Sequence, residues 1–174
     1  SACEDQYQNY VQWQSEWLKT KQSQKQLDYW TSEFKGAPAQ LPLPTFVDRH
    51  ATVSLQSESL KFDIPESRLQ ALNAFCQSEN ISLFMLMMAG FKVTLAHLAG
   101  VEDITLGTPV ANRSRKQYEN IIGLFSNTLA IRSYPNMHKT FKDYVQEVKA
   151  HTLGAYNNQE LPFDLVVDAV VPER

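Results

Sequence analysis

The sequence predicts an α/β domain, in which helices cover a mixed β-sheet. Three observations favour this class. Apolar residues recur at steps of three and four in several segments, as in amphipathic helices, and alternate in others, as in strands. Proline and glycine separate these segments, and helical segments and strand segments are interspersed along the chain. The 174 residues, 43% of them hydrophobic, suit one domain of ordinary size or one lobe of a larger one.

The first part of the chain predicts two helices and a connector. Residues 5–18 have helical spacing, with apolar side chains at Tyr7, Tyr10, Val11, Trp17 and Leu18. Residues 19–26 are polar, and a second helix is expected to follow them. Its inward side chains are Leu27, Trp30 and Phe34, and it ends near Gly36. Three prolines in residues 37–44 then exclude a helix and predict an extended connector.

The middle of the chain predicts strand and then helix. Residues 50–63 alternate, which indicates one long strand or two shorter ones. Pro65 opens a helix that ends at Asn80, with an inner face of Leu69, Leu72, Phe75 and Cys76. Ser82 caps the next helix, which runs to about residue 98 and stops at Gly100. This helix is apolar nearly all round, so we expect burial on most sides.

The last part predicts two strands and two helices. Residues 103–112 indicate a strand ending at Pro109, residues 114–121 a short helix or loop, and residues 124–134 another strand. A long helix is expected over residues 140–156, and Pro162 opens a final short helix. The predicted inward side chains of these two helices are Phe141, Val145, Val148, Thr152 and Ala155, then Phe163, Leu165, Val166 and Val170.

Charge and composition argue against several classes of protein. The net charge of −3 disfavours a nucleic-acid partner, which usually meets a basic surface. The longest apolar run, residues 83–91, is too short to cross a bilayer, so no membrane partner is predicted. Two cysteines do not make a disulfide scaffold, so the default is a reduced protein of the cytoplasm, with Cys76 in the core.

No catalytic or metal-binding pattern stands out from the residues alone. The chain has no glycine-rich phosphate loop and no G-x-S-x-G elbow. None of its four histidines has the spacing of a metal ligand, so no metal site is predicted. We expect a capping or satisfied role for His97, solvent exposure for His138 and His151, and a loop position for His50.

Five segments, in order, resemble motifs of one known family. Residues 7–18 resemble Y-x-D-Y-A-x-W-Q, residues 29–38 resemble Y-W-x-x-x-L-x-G-x-P, and residues 107–113 resemble G-x-P-x-A-N-R. Residues 122–132 resemble I-G-x-F-V-N-T-L-x-x-R, and residues 158–164 resemble H/N-Q-D-x-P-F-E. Asn9, Ser126 and Glu160 depart from the usual residues. On these motifs the chain resembles the condensation domains of nonribosomal peptide synthetases.

The resemblance implies a fold and an activity. In this family two chloramphenicol-acetyltransferase-like lobes enclose a tunnel, where amide bonds form between aminoacyl or peptidyl thioesters on the phosphopantetheine arms of carrier proteins. The H-H-x-x-x-D-G signature precedes the first of the five segments, and this chain has no adjacent histidine pair. Residues 1–174 are therefore expected to form the C-terminal lobe, with no catalytic residue and no directly bound cofactor, and to be inactive alone.

The resemblance also implies partners. These are the N-terminal lobe of the same domain, peptidyl carrier proteins and an adjacent adenylation domain, with a homodimer through the exposed lobe face as a further option. This lobe is expected to supply a wall of the tunnel and part of the carrier docking surface. The alternative is a non-catalytic interaction module that docks a carrier protein or a neighbouring synthetase domain.

Motif position selects the candidate site residues. Asn127, Asn158 and Gln159 are expected to bind substrate or brace a loop, although such amides often satisfy backbone groups instead. Arg113 is expected either to pair with a carboxylate of the other lobe or to lie on the surface. Phe125, Pro162, Phe163 and Trp13 are expected to be structural: Pro162 begins a helix, Phe163 anchors the core, and Trp13 packs on the other lobe or is exposed.

Overall fold

The structure is a computed structural model that describes residues 6–44 and 58–171. Within these residues, helices accompany a two-stranded sheet, which confirms the predicted fold class. The elements, in chain order, are α1 Tyr7–Trp17, α2 Lys21–Glu33, α3 Glu66–Glu79, α4 Leu83–Ala99, β1 Ile104–Val110, a 3-10 helix Lys116–Tyr118, β2 Asn127–Ser133, α5 Phe141–Asn157 and α6 Phe163–Val170.

The chain divides into two compact units. The described residues of the first unit are 6–37, 105–132 and 151–171, and those of the second are 38–44, 58–104 and 133–150. In the first unit α2 packs on α6, and in the second α3 packs on α4.

The second helix begins earlier than its apolar pattern predicts. Thr20 accepts a hydrogen bond from the Ser23 backbone N–H, so α2 starts at Lys21 within the segment expected to precede it. Its buried face carries the polar residues Ser23 and Gln26 beside Trp30, and hydropathy does not mark such residues as inward. At the other end, Arg132 donates to the backbone oxygens of residues 33 and 35, and residue 36 has a φ of 67°.

The caps of the helical pair α3 and α4 lie where the sequence predicts them. Asn80 ends α3 in the left-handed conformation with a φ of 52°, and Gly100 ends α4 with a φ of 66°. Ser82 accepts a hydrogen bond from the Met85 N–H and caps α4. No single helix among the described residues has both the length and the hydropathy to cross a bilayer, whereas α3 and α4 together pass that test by length and composition, with a bend of 103° between them.

The predicted burial of α4 on most sides is wrong. Its buried side chains lie along one face, and five large apolar side chains are exposed because no described residue covers them: Phe84, Met87, Phe91, Val93 and Leu98. In α3 only Cys76 of the predicted inner face is fully buried. In α5, Phe141 is 46% exposed and Tyr144 is buried instead. In α6, Val166 is buried but Leu165 is not.

Three strand predictions need correction. Residues 58–64 of the alternating segment form no strand, and Leu60 and Phe62 are exposed; its earlier part, to residue 57, lies outside the described residues. The first strand continues past Pro109 to Val110. The second strand starts at Asn127 rather than at residue 124, because aromatic side chains hold the preceding residues.

Candidate functional site

Two of the motif segments, residues 7–18 and 122–132, meet in one aromatic cluster of the first unit. This aromatic clasp consists of Tyr7, Tyr10, Trp13, Tyr118, Ile121 and Phe125. The ring centroids of Tyr10 and Phe125 are 4.5 Å apart, and those of Tyr10 and Tyr118 are 5.2 Å apart with an edge-to-face geometry. Phe125 is 3% exposed, so the predicted structural residue lies at the centre of the cluster. Burial raises the pKa of Tyr10, and the nearby Tyr7, Tyr118 and Glu160 raise it further.

The clasp fixes the loop of residues 121–126. The Tyr7 hydroxyl donates to the Leu124 backbone oxygen at 2.8 Å. The Tyr7 ring lies so close to Gly123 that a Cβ there would be 2.2 Å from a ring carbon, so this position requires glycine. Ile121 and Phe125 point inward, whereas Ile122 is 95% exposed and Leu124 is 73% exposed. The clasp therefore fixes the backbone of this loop and leaves the Ile122 and Leu124 side chains exposed to solvent.

Arg113 supports the clasp from within the chain. Its guanidinium donates to the backbone oxygens of Tyr118 and Ile121, and its Cζ lies 4.1 Å from the Phe125 ring centroid. Pairing with a carboxylate of another lobe stays a prediction, and these contacts account for the side chain without it. Trp13 is partly buried within the clasp, and the Arg115 Cζ lies 4.1 Å from the centroid of its ring. A contact between Trp13 and another lobe stays a prediction.

A second site in the same unit is built from amides. The Asn127 Nδ2 donates to the backbone oxygens of Gln159 at 2.9 Å and Leu161 at 2.8 Å. Its Oδ1 accepts a hydrogen bond from the Phe163 N–H at 3.0 Å. One carboxamide thus uses both of its ends on the backbone of residues 159–163. Bracing of a loop, one of the two roles expected of Asn127, is what its contacts provide.

Helix α2 holds the same loop from another side. The Trp30 indole N–H donates to the Asn158 backbone oxygen at 2.9 Å, and the Gln26 Oε1 accepts from the Leu161 N–H at 3.0 Å. The Asn158 side chain donates to the Gly154 oxygen at 2.8 Å, which satisfies a carbonyl near the end of α5. We call residues 158–163, held by Asn127, Gln26 and Trp30, the amide-held loop. The sequence reasoning missed Gln26; its one signal was its position four residues before Trp30, on the same helical face.

Gln159 differs from the other predicted site residues in this loop. Its side chain makes no hydrogen bond to the described residues, and it is partly exposed. The neighbouring Glu160 accepts a bond from the Ser114 hydroxyl at 3.4 Å. Pro162 is the N-cap of α6, as its predicted role at the helix start requires, and Phe163 is half-buried. The structure thus brings Asn127, Asn158 and Gln159 together, and of these three side chains Gln159 alone makes no hydrogen bond to the described residues.

The three described histidines differ in exposure and in their contacts. His97 and His138 are exposed, whereas His151 is half-buried and pairs through Nδ1 with the Glu33 carboxylate. The prediction of a surface His151 is therefore wrong, because α2 lies against it. His50 lies outside the described residues. Cys76 is free and buried, and the described part of the chain contains no cluster of three or more potential metal ligands.

Comparison with known proteins gives a consistent result. The sequence profile of the Condensation domain family matches residues 1–174. The chain is 36% identical over 169 residues to bacitracin synthase 1 of Bacillus licheniformis, which covers 97% of this chain and 3% of the synthase. This chain thus spans a small part of that relative.

Solved structures share the fold. A four-domain nonribosomal peptide synthetase, solved with AMP and glycine, superposes with a TM-score of 0.81 at 31% identity, over 86% of this chain and 11% of the synthetase chain. The X-domain from teicoplanin biosynthesis superposes with a TM-score of 0.89 at 18% identity, over 98% of this chain and 39% of that chain. With the motif segments in order and the profile match over its whole length, the chain belongs to the condensation-domain family of nonribosomal peptide synthetases.

Proposed function

We propose that residues 1–174 are the C-terminal lobe of a condensation domain and form one wall of the tunnel in which amide bonds are made. The substrates are aminoacyl or peptidyl thioesters on phosphopantetheine arms, so the partners are carrier proteins, the N-terminal lobe and an adjacent adenylation domain in the cytoplasm. The lobe also contributes to the surface on which carriers dock. Alone it is inactive, because its sequence lacks the H-H-x-x-x-D-G motif.

The amide-held loop is the observation that carries this proposal. Asn127, Gln26 and Trp30 fix its backbone, while the Gln159 side chain makes no hydrogen bond to the described residues. An amide has both donors and an acceptor, so Gln159 is suited to bind the peptide-like groups of a tethered substrate. Because Asn127, Gln26 and Trp30 hold the loop backbone, the position of Gln159 is fixed while its own amide remains available for substrate.

The reaction needs positioning more than it needs a group from this lobe. The acceptor amine attacks the donor thioester carbonyl, a C–N bond forms, the C–S bond breaks, and the amine proton is transferred as the thiolate leaves on the donor arm. Holding both tethered reactants in line is worth on the order of 7–11 kcal/mol. Proton transfer by a placed histidine of the other lobe contributes about 10²–10⁴ in rate. This lobe is assigned to the first of these two effects.

Reconstitution tests the proposal. Donor and acceptor carrier proteins are loaded, and amide product is measured by mass spectrometry with this chain alone, with a separately produced N-terminal lobe alone, and with both. Product only from the mixture is expected. Product from this chain alone contradicts the assignment, and a mixture that forms a complex with loaded carriers but makes no product supports the non-catalytic interaction module.

A further inference from the structure

The second unit contains a cleft that the proposed reaction does not use. It has a volume of about 580 Å³ and lies among the end of α4, the residues before β1 and the start of α5. Its lining includes five apolar side chains and one tyrosine: Val93, Ala96, Val101, Met137, Phe141 and Tyr144. Five of the six are apolar, and a cleft of this size falls in the range of small-molecule sites.

A buried polar chain leads to this cleft. Lys92 is fully buried on α4, and its Nζ donates to the Ser133 Oγ at 2.9 Å. The Ser133 Oγ lies 2.9 Å from the Tyr144 hydroxyl oxygen, and Ser133 is also fully buried. Three polar groups from α4, β2 and α5 are therefore connected in series, and Tyr144 is the member that lines the cleft.

The direction of the hydrogen bonds follows from what each group can donate. A lysine ammonium has only donors, so the Ser133 oxygen accepts from Lys92. If Tyr144 donated to Ser133, the serine proton would be left without an acceptor in a fully buried place, which is costly. With Ser133 donating to the Tyr144 oxygen, the unpaired proton lies instead on Tyr144, the member of the series that lines the cleft. Tyr144 is 2% exposed and lines the cleft, and in this arrangement its proton has no acceptor among the described residues. Burial raises its pKa to about 12, so the hydroxyl keeps that proton at neutral pH.

We propose that this cleft binds a small molecule with an apolar chain that ends in a carboxylate, which accepts a hydrogen bond from Tyr144. The hydrocarbon chain of this small molecule packs on the apolar lining, and its carboxylate lies toward the buried Lys92–Ser133–Tyr144 series. His97 and Glu102 also line the cleft, and the Glu102 carboxylate opposes an anion. Lys139, also in the lining, is engaged by Glu147. All the residues that line the cleft belong to the second unit, and the proposed function rests on none of them.

Titration with octanoate tests the site. In ¹H–¹⁵N spectra of the labelled chain, octanoate is expected to shift the amides of Val93, Ala96 and Val101 with saturable dependence on concentration. The matched probe is 1-octylammonium, which has the same chain length and the opposite charge, and it is expected to bind at least about tenfold more weakly because a cation cannot accept from Tyr144. Equal binding of both probes, or shifts away from the cleft, overturns the proposal.

Three variants separate this site from general adhesion to exposed apolar surface. Tyr144→Phe is expected to weaken octanoate binding by about three- to tenfold, the value of one hydrogen bond. Ala96→Trp fills the cleft without touching the polar series and is expected to abolish binding. Phe91→Ala, on the exposed face of the same helix, is expected to leave binding unchanged. Circular dichroism checks that each variant folds. If Tyr144→Phe does not fold, the test rests on Ala96→Trp. Unchanged octanoate binding by Ala96→Trp overturns the proposed site.

Discussion

Two loops of the first unit are held in place by opposite means. The aromatic clasp holds residues 121–126 by ring packing and by a glycine against Tyr7, whereas the amide-held loop depends on hydrogen bonds from Asn127, Gln26 and Trp30. In both loops, side chains from the motif segments donate hydrogen bonds to backbone oxygens: Tyr7 in the first loop, and Asn127 and Trp30 in the second. In each loop some residues of a motif segment hold the backbone, whereas others in the same segment are exposed or partly exposed: Ile122 and Leu124 in one loop and Gln159 in the other.

The largest expected effect comes from removing the centre of the clasp. Phe125→Ala deletes a buried ring that contacts Tyr7, Tyr10 and Tyr118, and is expected to lower the free energy of unfolding by about 3–5 kcal/mol. Urea unfolding measures it. Phe141→Ala is the control, because that ring is 46% exposed and should cost far less. Equal losses for the two variants would mean that the clasp does not depend on packing.

Asn127→Ala tests the amide-held loop. It leaves the oxygens of Gln159 and Leu161 without a donor and the Phe163 N–H without an acceptor. We expect a loss of about 2–4 kcal/mol in unfolding free energy, since each orphaned partly buried group costs about 1–3 kcal/mol. Asn120→Ala, at an exposed position, should stay within about 0.5 kcal/mol of the parent. Similar small changes for both variants would show that the loop is held without Asn127.

A glycine substitution probes the shape of the clasp. In Gly123→Ala the new methyl would lie 2.2 Å from the Tyr7 ring, so overpacking is expected to cost about 1–3 kcal/mol. Gly90→Ala on α4 meets nothing within 4 Å and is expected to gain about 0.5–1 kcal/mol through helix propensity. Thermal unfolding compares the two. In a Tyr7→Ala background the cost of Gly123→Ala should vanish, and its persistence would assign the strain to another contact.

Titration sharpens the contrast between the two loops, because the clasp contains tyrosines and the supports of the amide-held loop do not titrate. The pKa of Tyr10 in the folded chain is raised above its ordinary value of about 10. Its contribution to stability is therefore complete below about pH 10 and is lost as the pH rises through the folded pKa. The stability difference between the parent and Tyr10→Phe should narrow from pH 9 to pH 11.5. A difference independent of pH contradicts this prediction.

Local rules predicted much of the fold, and the failures have physical causes. Ser82 and Gly100 bound α4 as expected, because capping depends on residues adjacent in sequence. The start of α2 was missed because its buried face includes Ser23 and Gln26, whose burial depends on distant partners. The exposed side of α4 was missed because apolar composition does not reveal whether another element covers it.

The candidate site was only partly readable from the sequence. The family resemblance selected Asn127, Asn158 and Gln159, but not what each one does. The partners of Asn127 lie 32, 34 and 36 residues away, so their contacts depend on tertiary structure. Gln26 lies 135 residues from the N–H that it accepts from and carries no motif signal. Residue type identified the amides, and only the fold separated those that brace from the one that is unused.

The smallest expected change in stability is also the most informative for function. Gln159→Ala removes no hydrogen bond to the described residues, so unfolding free energy should change by less than about 0.5 kcal/mol. If Gln159 binds substrate, amide formation by the mixture of lobes should nevertheless fall, by about tenfold for one lost contact to a tethered substrate. Gln24→Ala, on the exposed side of α2, is the control and should leave the rate unchanged. A Gln159→Ala variant with full activity would show that the amide-held loop is fixed for a purpose other than substrate binding, and would leave the exposed Ile122 and Leu124 as the outward groups of this unit to test next.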